Sequence, residues 1–347
     1  MRKILAGLIV AVTLVGTVLV VNKQQPPQPL VPRPLPVRPP VRPEVRPPQL
    51  PDISEAECRR LLLALTDRRM EGRMSGKRGN VLAAEMIADH FRRCGLEVRL
   101  QRFSIRRMNP GPQNETGDDF THNVIGVLRG ESEQQIVIGA HFDHIGYGPA
   151  MARDGGGAVH DGADDNASGT VAVMLMATQL ARVRHRHTLV FVAFSAEEMG
   201  LIGSRHYVSA LSASERGRID FMINFDMVGR FRSQVQAIGG RKHAVYDAVL
   251  RELSEKYKLR VSISNGDGGG GSDHASFAEV GIPVCFFHTG MHEDYHTKQD
   301  TADKINTEGL TRIAGFVSET VTLLDQRSLG RTVQYQYDMN YERDKDE

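Results

Sequence analysis

The chain is poor in cysteine, with only Cys58, Cys94 and Cys285 among 347 residues. No two of them form a Cys-x-x-Cys pair, so neither a thiolate zinc site nor a disulfide framework is supported. Cys58 and Cys94 fall on two expected helices and could pair in an oxidising compartment. Cys285 lies in the apolar run Ile282 to Phe287 and reads as core. Net charge is close to nil, at +1. No basic block outside an amino-terminal stalk suggests nucleic-acid binding, so nucleic acid is not an expected partner. Internal repeats are missing, and no second linker follows residue 51. Proline is scarce in the body of the chain, because twelve of the sixteen prolines lie between residues 22 and 51.

The amino terminus differs in kind from the rest. Arg2 and Lys3 precede the uncharged run Ile4 to Val21. As a helix this run would be about 27 Å long, near the thickness of a bilayer's hydrocarbon core. Residues 1–21 are therefore expected to be a signal peptide or an uncleaved signal anchor. The anchor is favoured, since no Ala-x-Ala site stands near Val18 to Asn22 and no lipoprotein-type cysteine follows. Basic residues before the helix hold that end in the cytoplasm and put the remainder outside. The expected location is extracytoplasmic, anchored or secreted, with the membrane as a partner if the helix is kept. In residues 22–51 proline alternates with arginine and valine. Proline fixes φ and removes a donor, so a semi-rigid polyproline II stalk is expected.

Residues 52–325 read as one folded domain and 326–347 as a polar tail. Leucines at helical spacing mark a helix over Glu55 to Leu65. A basic loop, Arg68 to Lys77, leads to a second helix from about Asn80 to Arg93, closed by Gly95. Alternation marks a strand over Leu96 to Phe103, and Asn123 to Leu128 is another. Ile136 to Ala140 and Thr188 to Phe194 are apolar throughout, as strands buried on both faces are. Further strands are expected at Phe221 to Asp226, Arg260 to Ile263 and Ile282 to Phe287. Helices are expected from Ala167 to about Arg182, Ala244 to Tyr257 and Thr307 to Leu324, with a loop at Gly266 to Gly271. This alternation predicts an α/β fold: a mostly parallel or mixed central sheet with helices on both faces.

Several apolar strands end on groups that bind metals. Ile136 to Ala140 runs into His141-Phe142-Asp143-His144. Thr188 to Phe194 runs into Ser195-Ala196-Glu197-Glu198, and Phe221 to Phe225 into Asp226. Loops add Asp165, in Gly162-Ala163-Asp164-Asp165-Asn166-Ala167-Ser168-Gly169, and His296. Any one of these alone is most simply a solvated polar residue at a strand end. Together they fall on one edge, because ligands of open α/β sheets gather outside the carboxyl ends of the strands. Histidine and carboxylate without thiolate make a catalytic nitrogen and oxygen site for zinc. Two histidines and three carboxylates suffice for two ions if one carboxylate bridges. A further carboxylate must accept the proton of the attacking water, and the adjacent Glu197 and Glu198 fit that division. Asp143 could orient His141 through the other ring nitrogen.

With these motifs in order, the sequence resembles the two-zinc aminopeptidases of the aminopeptidase S and aminopeptidase Y type. Their relatives include glutamate carboxypeptidases and glutaminyl cyclases. The resemblance spans about Ile53 to Asp325 and is most specific at Gly162 to Gly169 and at Tyr295-His296-Thr297-Lys298-Gln299-Asp300-Thr301. It implies two zinc ions, a peptide substrate and a zinc peptidase catalytic domain. Asp165 would bridge, His141 and Asp226 would hold one ion, Glu198 and His296 the other, and Glu197 would be the general base. It also implies a cis peptide between Asp165 and Asn166. Ser272-Asp273-His274 matches a segment lining the site, with His274 outside the ligand set. Gly271 stands where some members carry a tyrosine, which leaves Tyr295 as the candidate for supporting the oxyanion. His144, His160, His288 and His292 have no place in the implied set, although His144 could shape the pocket.

The expected activity is hydrolysis of amino-terminal peptide bonds. The alternatives on the same scaffold are a one-zinc glutaminyl cyclase and a carboxypeptidase. Zinc exopeptidases with a lid domain before the last histidine fit less well, because Asp226 and His296 are too close in sequence to admit one. In a different class, a membrane-tethered binding protein without catalysis is disfavoured by the intact ligand set.

Overall fold

The computed structural model describes residues 49–105, 119–148, 150–239, 244–266 and 271–326. The expected anchor, most of the stalk, the tail and most of the loop at Gly266 to Gly271 lie outside the described residues. Among the described residues no helix is long and apolar enough to cross a membrane, and all three cysteines are free thiols.

Eight strands form one mixed sheet: β1 (Glu97–Ser104), β2 (Phe120–Leu128), β3 (Gln135–His141), β4 (Thr188–Phe194), β5 (Ile219–Phe225), β6 (Gln234–Ile238), β7 (Arg260–Ser264) and β8 (Val284–His288). Their spatial order is β1-β2-β4-β3-β5-β8-β6-β7. The central strands β4, β3, β5 and β8 run parallel. β2 joins β4 and β6 joins β8 antiparallel, so the sheet reverses on both sides of that parallel centre.

Side chains alternate across the sheet, and each central strand feeds two cores. Ile136, Ile138 and Ala140 of β3 face one core, and Val137 faces the other. The larger core holds α1 (Glu55–Leu65), α2 (Arg78–Arg93), α3 (Gly169–Leu180), α6 (Ala244–Lys256) and α8 (Thr307–Gln326). The opposite face is covered by α4 (Ile202–Ser209) and α7 (His274–Ala278), through Tyr207, Val208 and Phe277. α5 (Ala213–Arg218) buries nothing and is held by a Ser212–Glu215 capping box. α3 is apolar all round and almost wholly buried, because the sheet, α1, α2 and α8 surround it. Each of its fully buried valine, leucine and methionine side chains is worth about 1.5–3 kcal/mol.

One expectation needs correction. The helix expected from Ala167 starts at Gly169, because Asn166 turns its side-chain carbonyl onto the Gly169 amide, 2.9 Å away. The preceding Ala163–Ser168 turn is irregular instead. β6 and the short helices α4, α5 and α7 were not anticipated: β6 buries only alternate small residues, Val235 and Ala237, and the helices are too short to show a period.

Candidate metal centre

The carboxyl ends of the parallel strands put the expected groups side by side. His141 is the last residue of β3. Glu197 and Glu198 follow the turn after β4, and Asp226 follows β5. The loop after β8 returns His296. All are largely buried. Their ligand atoms gather into two groups: His141, Glu197 and Asp226 in one, His144, Asp165, Glu198 and His296 in the other.

Asp165 stands between the groups. Its Oδ1 lies 3.5 Å from His141 Nε2, and its Oδ2 lies 3.1 Å from His296 Nε2. His141 Nε2 also lies 3.5 Å from Asp226 Oδ2 and 3.8 Å from Glu197 Oε2. His296 Nε2 lies 3.0 Å from Glu198 Oε2. Both histidines donate Nδ1–H to a backbone carbonyl, His141 to Asp143 at 3.2 Å and His296 to Met151 at 3.2 Å. This fixes each ring with Nε2 aimed at the carboxylates.

The Asp165 loop is braced from two sides. Asp300, in the same motif as His296, accepts the Asp164 and Asp165 amides at 2.9 and 3.0 Å and pairs with Arg230 at 3.2 Å. Asn166 donates to the Phe225 carbonyl at 2.9 Å, which ties the loop to β5. The Asp165–Asn166 peptide is cis, as the resemblance implies. Gly162 enters the loop at φ +54°, and a Cβ there would stand 2.4 Å from the His144 ring. Only glycine meets both demands.

Burial and mutual repulsion dominate the electrostatics. Burial first, then the nearby carboxylates of Glu198 and Asp226, hold Glu197 well above the ordinary carboxylate range, against the pull of His141. Burial and Glu198 lift Asp165 to about 6. For His296 burial opposes charge, but Asp165 and Glu198 outweigh it and raise the ring to about 10. Asp273, buried beside this cluster, is lifted to about 7, chiefly by desolvation. The centre holds more negative charge than its histidines can balance, and positive charge bound among these groups would relieve it.

The structure brings together His141, Asp165, Glu197, Glu198, Asp226 and His296, all expected from the sequence. It also brings in His144, which the sequence reading left out of the ligand set. His144 is buried, with Nδ1 2.8 Å from Glu198 Oε1 and 3.7 Å from Asp165 Oδ2. Nothing in His-x-Asp-His says which way the second histidine turns once the strand has ended. His160, His288 and His292 do stay outside: they bond Asp154, the Asp226 carbonyl and Asp164. His274 stacks on Phe286. Tyr295 stacks on the His296 ring with centroids 3.9 Å apart. Asp143 orients His141 mainly through its backbone oxygen; its carboxylate is 3.7 Å from Nδ1 and accepts from the Glu197 amide and Ser75 at 3.2 Å each. The basic loop before α2, which carried no functional expectation, therefore reaches the centre. Its Arg73 is fully buried and donates to the carbonyls of Leu65, Phe142, Asp161 and Gly162.

Comparison with known proteins gives a family match over residues 123–321, to peptidase family M28. Aminopeptidase YwaD of Bacillus subtilis is 32% identical over 216 residues, covering 58% of this chain and 44% of that protein. The probable leucine aminopeptidase 2 of Aspergillus fumigatus is 25% identical over 281 residues, covering 71% of this chain and 53% of that protein. The chain thus spans about half the length of these relatives. Among solved structures, BSAP, a zinc aminopeptidase from Bacillus subtilis, superposes with TM-score 0.68 at 20% identity, covering 81% of this chain and 97% of that one. The aminopeptidase of Aneurinibacillus sp. strain AM-1 gives TM-score 0.64 at 19% identity, covering 78% and 93%. Both structures share the fold.

Proposed function

The chain belongs to peptidase family M28, and from that premise we propose that it is an aminopeptidase using two zinc ions and Glu197 as general base. The observation that carries this reading is Asp165, whose two oxygens face two different sets of histidine and carboxylate. The aminopeptidase names of the relatives support it.

The residues fit zinc. The donor set is nitrogen and oxygen with no thiolate, as catalytic zinc sites have. Asp165 Oδ2, His296 Nε2 and His144 Nε2 are buried and have no hydrogen-bond partner among the described residues. The short His296 approaches to Asp165 and Glu198 are therefore close without being aligned as hydrogen bonds, which suits atoms converging on a cation. His141 and Asp226 would hold one ion, Glu198 and His296 the other, with Asp165 shared. When bound, the ions would polarise the scissile carbonyl and acidify the attacking water.

The protein's own groups do the rest. Glu197 accepts a proton from the water and delivers it to the leaving amine. His141 and His296 are kept in orientation by their backbone acceptors, so their positions are set before substrate arrives. We further read the uncharged run Ile4 to Val21, behind Arg2 and Lys3, as an anchor that holds the domain outside the cytoplasm, a reading that membrane fractionation tests.

Replacing Glu197 by glutamine tests the assignment of roles. The variant is expected to keep its zinc and lose turnover. Retained turnover, or loss of zinc, would contradict the proposed base.

A further inference from the structure

The turn that carries Glu197 leaves β4 through Ala196, a non-glycine residue at φ +58°. That left-handed conformation is uncommon for a residue with a side chain, and surrounding contacts must hold it. Three consecutive amides of the turn are held by side chains from elsewhere, the first being Ser195 N–H, which donates to Asn123 Oδ1 at 3.0 Å. Ala196 N–H donates to Ser75 Oγ at 2.9 Å, and Glu197 N–H donates to Asp143 Oδ1 at 3.2 Å. Ser75 Oγ also lies 3.2 Å from Asp143 Oδ2, to which it donates, and 2.9 Å from Ser195 Oγ.

Ser75 is itself fixed. It is 5% exposed and follows Arg73, whose guanidinium is spread over four backbone carbonyls. Asn80 of α2 donates to the Arg73 carbonyl at 3.0 Å and to Ser195 Oγ at 3.1 Å. Thr121 of β2 completes the layer, 2.6 Å from Asn80 Oδ1 and 2.8 Å from Ser195 Oγ. A rigid polar layer thus lies under the turn, and its contact with the Ala196 amide is one hydroxyl. Ser75 precedes the segment matched to the family, residues 123–321.

We propose that Ser75 is a positioning residue for the reaction: its hydroxyl holds the Ala196 kink and the Asp143 carboxylate together, and so aims Glu197. The kink separates the two adjacent glutamates, sending Glu197 toward His141 and Glu198 toward His296. Without the hydroxyl, the Ala196 amide loses its acceptor and Asp143 loses a donor, and the Glu197 carboxylate drifts from its working position. Small misplacements of reacting groups lower the rate of the chemical step far more than they weaken substrate binding.

This inference rests on the peptidase reading, and the test separates the two. In the full-length chain, Ser75→Ala is expected to lower kcat about ten- to a hundredfold. KM should stay within about twofold and zinc content should not change, as for a group that acts only on the chemical step. Hydrogen exchange should quicken at the Ala196 and Glu197 amides. A merely structural serine would lower thermal stability and leave kcat of the folded protein intact, and that result overturns the proposal. So does a fall in kcat that tracks lost zinc. If Ser75→Ala does not fold, Ser75→Cys carries the same comparison, since the thiol is a weak donor and acceptor; unchanged kcat in that variant would also overturn the proposal. Absence of peptide hydrolysis by the wild-type chain would instead overturn the peptidase reading, and amide exchange would still decide whether Ser75 holds the turn.

Discussion

His144 Nδ1 lies 2.8 Å from Glu198 Oε1, while His296 lies against the other oxygen, Oε2. Burial holds the His144 ring well below the ordinary histidine range, at about 4, so at neutral pH it is an uncharged donor to Glu198. One glutamate oxygen is thereby occupied by a hydrogen bond and the other is left facing His296. Partners of this kind are worth about 10–100-fold in metal affinity. His144→Ala is expected to weaken one of two bound zinc ions by that factor and leave the other unchanged, as measured by competition with a chelator. Equal weakening of both would show that the loss is general.

Gly162 is predicted to tolerate no side chain. Its φ of +54° and the 2.2 Å approach of a Cβ to the Asp165 carbonyl oxygen both oppose one. Gly162→Ala is expected to destabilise the protein by about 2–4 kcal/mol, from strain and overpacking together. Denaturant unfolding would measure this, and a loss under about 0.5 kcal/mol, the size of an ordinary surface change, would contradict the geometry.

A second buried cluster, at the opposite ends of the same strands, is predicted to govern stability and not turnover. His187, just before β4, lies 2.9 Å from Asp325 of α8 and 3.2 Å from Asp220 of β5. Burial disfavours charge on His187, but these two carboxylates outweigh it and raise the ring to about 9. Burial likewise opposes charge on Asp325, yet its histidine and amide donors hold it below its ordinary value. The histidine's contribution is complete below about pH 6.5 and fades as pH rises toward 9. The aspartate's is complete above about pH 4 and fades in acid. The tie is therefore strongest between about pH 4 and 6.5 and should weaken on either side. Asp325→Asn should cost on the order of 2 kcal/mol at pH 6 and less at pH 9.5. The kcat of the folded protein should not change. Equal losses at both pH values would contradict this account.

Metal removal should act on stability as well as activity. Asp165, Glu197, Glu198 and Asp226 crowd one buried space, and cations that bind only the folded state stabilise it by mass action. Chelation is expected to lower the unfolding temperature, and added zinc to restore it in a concentration-dependent way. An unfolding temperature indifferent to zinc would argue against a site built for it.

The fold and most of the centre were legible because each depends on local pattern. The uninterrupted apolar runs ending at His141 and before Glu197 announce buried parallel strands, and the same strand ends carry the ligands. Asp300 lay in a recognised motif, but its bonds to the Asp164 and Asp165 amides cross more than a hundred residues. Ser75 and Arg73 were hidden for the same reason: a basic loop reads as a solvated surface, and only tertiary packing shows Arg73 fully buried. His144 needed the backbone direction after β3, which no periodicity encodes. α5 went unread, although its Ser212-x-x-Glu215 capping box is a helix start of local pattern.

We propose that Glu197, beside two zinc ions that Asp165 would share, hydrolyses amino-terminal peptide bonds. The most direct test counts zinc per chain and, in the same preparation, follows release of amino acids from free and N-acetylated peptides. Two zinc ions per chain and cleavage only where the amino terminus is free are expected. One zinc without hydrolysis, or equal cleavage of blocked peptides, would contradict the proposal.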